Sequence, residues 1–109
     1  MADAQDTGST DEQESLSNSR ETAMPEISRF FGMVVTMCYN DHAPPHFHVR
    51  YGGQKALISI NPPTVLEGRL SPRPLGLVVE WASLHREELS KNWDLARQEA
   101  ALNRIAPLE

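Results

Sequence analysis

His46-Phe47-His48-Val49-Arg50-Tyr51-Gly52-Gly53-Gln54-Lys55-Ala56-Leu57-Ile58-Ser59 is the stretch from which the architecture follows. Side chains of an extended chain alternate, so His46, His48 and Arg50 fall on one side while Phe47, Val49 and Tyr51 fall on the other. Gly52-Gly53 signals a tight reversal, because the favoured two-residue hairpin turns need or tolerate positive φ at their central positions. The turn then fixes a register. Tyr51 faces Gln54, Val49 faces Ala56 and Phe47 faces Ile58 on an apolar side; Arg50 faces Lys55, His48 faces Leu57 and His46 faces Ser59 on a more polar one.

Upstream, Asn40-Asp41-His42-Ala43-Pro44-Pro45 cannot extend a ladder, since two prolines lack donors and restrict the residues before them. It reads as a stiff corner. Gly32 to Tyr39 is apolar and β-branched, and predicts one strand buried on both faces. Met24-Pro25 opens the patterned region and offers an alternative start. Residues 1–23 are Ser, Thr, Gln, Asp and Glu with little that is apolar beyond Leu16, a composition that predicts a disordered acidic tail.

Downstream, Asn61-Pro62-Pro63-Thr64 is a second turn and Val65–Leu70 a further strand. Ser71-Pro72 pairs an N-cap residue with proline at the first helical position. Leu75, Val78, Ala82, His85 and Leu89 keep helical spacing, predicting a helix over about 73–90 that covers the apolar side of the sheet. Asn92 predicts a bend before a second helical piece to Ala101, and residues 104–108 could add an edge strand. The expected fold is α+β: a small, mostly antiparallel sheet of three to five strands, one face packed by a C-terminal helix, forming one domain over 24–109.

Of 109 residues, 39% are hydrophobic, enough for one modest core. No apolar run reaches the length of about eighteen residues needed to span a bilayer, and no signal peptide is present, so a soluble cytoplasmic protein without membrane association is expected. The single cysteine, Cys38, fits a reducing compartment and reads as a small buried side chain. The net charge of -5 resides in residues 1–23, where six acids meet only Arg20; the nine acids and nine bases that follow cancel. Global charge therefore neither favours nor excludes RNA as a partner.

The corner and hairpin gather three of the four histidines, Asp41 and Arg50 into fourteen residues. Three readings compete. His42, His46 and His48 could ligate zinc or another transition metal, His-x-His placing two imidazoles on one strand face, with Asp41 near. Alternatively, Asp41, His42, His46, His48 and Arg50 could cleave RNA without any cofactor, the histidines serving as acid and base and Arg50 meeting phosphate, with Lys55 and Tyr39 or Arg29 in support. In the third reading the corner residues satisfy backbone groups and the strand histidines form a partner-binding surface. His85, Trp81 and Trp93 read as packing residues.

Met24-Pro25-Glu26-Ile27-Ser28-Arg29-Phe30-Phe31-Gly32, then Asn40-Asp41-His42-x-Pro44-Pro45-His46-Phe47-His48-x-x-Tyr51-Gly52, Glu80-Trp81, His85, Glu88-Leu89, Asn92-Trp93 and Ile105-x-Pro107-Leu108 resemble the small bacterial family called domain of unknown function 4160. The resemblance spans about 24–108 and implies chains of near 85 residues that start at the equivalent of Met24, which leaves residues 1–23 outside the pattern. It also implies a toxin–antitoxin component whose partner is a small antitoxin-like protein of the domain of unknown function 2442 type. It carries no reaction, so the catalytic assignment rests on the residues, and a regulatory, antitoxin-side binding protein stays open beside the toxin-like ribonuclease.

Overall fold

The computed structural model describes residues 24–109; the expected disordered tail lies outside them. Five strands form one antiparallel sheet in chain order: β1 (Glu26–Phe30), β2 (Met33–Thr36), β3 (His46–Tyr51), β4 (Gln54–Ser59) and β5 (Val65–Gly68), followed by α1 (Pro72–Leu84) and α2 (Arg86–Arg97). The α+β expectation holds. The β3–β4 hairpin has the predicted register, with Tyr51 opposite Gln54 and His46 opposite Ser59.

The segment before the corner differs from expectation. In place of one long strand there is a β1–β2 hairpin, because Phe31 and Gly32 both take positive φ, 48° and 81°, as a tight two-residue reversal needs. Nor is β2 buried on both sides. Met33 and Val35 are buried, whereas Val34 and Thr36 stay partly exposed, because helices cover only one face.

That covered face holds the core. Trp81 of α1 is fully buried, its ring centroid 5.2 Å from Phe30 and 5.8 Å from Phe47. Leu89, Trp93 and Ala96 are buried from α2. The expected continuous helix breaks at His85, whose φ of -118° and ψ of 30° separate the two helices. Asn92 makes no bend. It is buried within α2, and its side chain accepts from the Asn103 N–H and donates to the Asn103 carbonyl, both at 2.9 Å. Residues 104–108 form no strand, but the Ile105 N–H donates to the Ile27 carbonyl and the Trp81 indole N–H to the Ala106 carbonyl, each at 2.8 Å. The chain end is thereby tied along β1.

Candidate functional site: the histidine corner and the open sheet face

The face of the sheet away from the core carries the polar half of the β3–β4 hairpin. Register sets His48 between Thr36 and Leu57, and Arg50 between Val34 and Lys55. These side chains, with Arg29 and Glu26, line a groove of about 350 Å³. Glu26 joins Arg29 and Arg104 in ion pairs of 2.7 and 3.0 Å, and the two guanidinium hydrogen bonds hold its carboxyl down at about 2. Among the described residues, Arg50 and Lys55 have no carboxylate partner. Their charges are left for an anion.

The Pro-Pro corner leads into β3. It contains a cis Ala43–Pro44 peptide, and the Asn40 N–H donates to the Ala96 carbonyl of α2 at 3.2 Å, which fixes where Asp41 points. Asp41 Oδ1 accepts the His42 N–H at 2.8 Å. Its Oδ2 meets Nε2 of His46 at 3.0 Å and Nε2 of His48 at 3.4 Å. Burial opposes ionisation of this carboxyl, but the His42 N–H and the two imidazoles outweigh it and hold the group below the usual carboxylate range.

The two strand histidines have separate duties. His46 is 5% exposed, with its ring 5.3 Å from Trp93. Its Nδ1 lies 2.8 Å from the Pro44 carbonyl. Each ring nitrogen of His46 thus meets an acceptor, a backbone carbonyl on one side and a carboxylate on the other. It braces Asp41. His48 is 22% exposed at its side chain, borders the groove, and places Nε2 3.5 Å from Cys38 Sγ.

Of the residues singled out in the sequence, Asp41, His46 and His48 are brought together, Arg50 lies along the groove, and the His42 ring is exposed on the corner. The three-histidine ligand set does not assemble: both His46 nitrogens are engaged and His42 faces solvent. The convergent set among the described residues is Cys38, Asp41 and His48, whose ligand atoms lie within 4.8 Å of one another. Reading Cys38 as a plain buried side chain missed it. The signal was the alternation of Val34, Thr36 and Cys38, which carries Cys38 to the open face beyond the end of β2. Burial and then the Asp41 charge push its thiol pKa up.

The family model described as domain of unknown function (DUF4160) matches residues 32–94. This range contains the whole corner, the hairpin and Trp93. No curated protein and no solved structure matches the chain. No helix among the described residues is long and apolar enough to cross a membrane.

Proposed function

We propose that this chain, which belongs to the DUF4160 family, is the toxin-like component of a bacterial two-gene toxin–antitoxin module and cleaves RNA without a metal. The observation that supports this most is the Asp41-tethered His48 at the margin of a groove lined by Arg50 and Lys55, which have no carboxylate partner among the described residues. Asp41 accepts a hydrogen bond from the Nε2–H of His48, which keeps that proton on Nε2 and leaves the lone pair on Nδ1 as the base, as a carboxylate fixes the tautomer of a catalytic imidazole. That base removes a 2′-hydroxyl proton. The oxygen attacks the adjacent phosphorus, the bond to the 5′-oxygen breaks, and the exposed His42 supplies the leaving oxygen with its proton. Arg50 and Lys55 stabilise the charge gathered on the phosphorane. His46 is a positioning residue, because its burial keeps substrate away. The antitoxin-like partner of the domain of unknown function 2442 type acts in the cytoplasm by covering the groove.

The test is expression of the full chain alone, with cleavage of a defined RNA by purified protein. Wild type arrests growth and leaves 2′,3′-cyclic phosphate ends. His48→Ala lowers the cleavage rate by about 10²- to 10⁴-fold, the span of a lost acid or base, with unfolding temperature nearly unchanged. Arg50→Ala and Lys55→Ala each reduce the salt slope of RNA binding by about one. Equal toxicity and cleavage by wild type and His48→Ala would remove the catalytic claim. A wild type that binds but does not cleave RNA would leave only a regulatory binding protein.

A further inference from the structure

The geometry points to a binding site for one zinc-class transition metal ion, ligated by Cys38 Sγ, Asp41 Oδ2 and His48 Nε2. Zinc–sulfur and zinc–nitrogen bonds of about 2.3 and 2.0 Å at a tetrahedral angle separate the two ligand atoms by about 3.5 Å; two oxygen or nitrogen ligands sit about 3.3 Å apart. The corresponding separations here are 3.5 Å for His48 Nε2 to Cys38 Sγ and 3.4 Å for His48 Nε2 to Asp41 Oδ2. Two edges of a tetrahedron are therefore already set. The third pair of atoms is within 4.8 Å, so closing the triangle needs only a small side-chain movement.

The surroundings suit an ion. Asp41 keeps the His42 N–H on its other oxygen, and the His46 Nε2–H reaches its ligating one. Outer donors of this kind hold first-sphere ligands in place. Thiolate with imidazole selects zinc, cobalt or copper over magnesium or calcium. His48 and Asp41 side chains are 22% and 23% exposed, so an ion can enter, and three protein ligands leave a fourth position open. Binding displaces the Cys38 thiol proton to solvent.

One consequence rests on the ribonuclease reading. Ligation through Nε2 puts the remaining imidazole proton on Nδ1, the atom that reading uses as base, so the metal-loaded chain is its inactive form. The site itself does not depend on that reading, and metal uptake is measured without RNA.

Purified full chain is dialysed against Zn²⁺ and, separately, Co²⁺, with elemental analysis, competition titration and absorption spectra. Wild type takes up one equivalent, and the cobalt form shows a thiolate-to-metal charge-transfer band. Cys38→Ser, near in size, abolishes that band and weakens zinc binding by at least about 100-fold, beyond what outer-sphere changes cost. His48→Gln weakens it similarly, which covers the case that one variant fails to fold. His42→Ala leaves affinity unchanged. Less than about a tenth of an equivalent in wild type, a Cys38→Ser variant with wild-type affinity, or a His42→Ala loss as large as that of Cys38→Ser would each overturn the site. RNA cleavage with no metal uptake would overturn it while sparing the ribonuclease proposal; metal uptake with no cleavage would do the reverse.

Discussion

Truncating the two strand histidines separates brace from working group. His46→Ala removes a ring that is 5% exposed, meets Asp41 at 3.0 Å and Pro44 at 2.8 Å, and packs on Trp93. A hydrogen bond to a charged group contributes about 1.5–3 kcal/mol and a neutral one about 1, and an aromatic contact adds about 0.5–1.5. Asp41 is 23% exposed, so solvent takes part of the ionic share and the loss is about 3 kcal/mol. For a domain of this size that lowers the unfolding temperature by about 12–24 °C. His48 is 22% exposed, meets Asp41 only at 3.4 Å, contacts the weak acceptor Cys38 Sγ at 3.5 Å and lies 5.4 Å from the His46 ring, so His48→Ala costs less than His46→Ala, about 1 kcal/mol. Urea unfolding of the full-length variants measures the difference as a shift in midpoint at constant slope. Equal losses, or a larger loss for His48→Ala, would refute the division of labour.

Two further outcomes follow from the sheet. Glu26 is held at about 2 against an ordinary 4.5 by Arg29 and Arg104, so its contribution is present above pH 4.5 and disappears as pH falls through about 2. Denaturant midpoints of wild type and Glu26→Gln should therefore differ at neutral pH and converge in acid; a constant difference would contradict the pairing. Gly68 has a φ of +77°, and a Cβ there would lie 2.1 Å from the Lys55 carbonyl oxygen. Gly68→Ala should thus cost more than about 2 kcal/mol, from left-handed backbone strain plus separation of β4 from β5; a thermal melt within a degree or two of wild type would disprove it.

The hairpin was legible because alternation and the glycine pair are local, and a single register satisfies both. The β1–β2 hairpin was hidden because its turn uses Phe31, a residue that rarely takes positive φ. Asn92 carried a misleading signal: asparagine usually interrupts helices, but here a backbone segment eleven residues away satisfies its amide. At the site, Asp41, His46 and His48 are near in sequence and also meet in space. It could not distinguish the two imidazoles, because the burial of His46 comes from Trp93, contributed by an element nearly fifty residues later in the chain.

The tether between Ile105 and Ile27 sets an order of events during synthesis. Strand β1 is completed by a segment made only after both helices have been translated. Until positions 103–106 are free of the exit tunnel, the Ile27 carbonyl, the Trp81 indole and the buried Asn92 amide all lack their partners. A stalled nascent chain ending before them would present an open sheet edge, and emergence of residues 103–106 is what closes it.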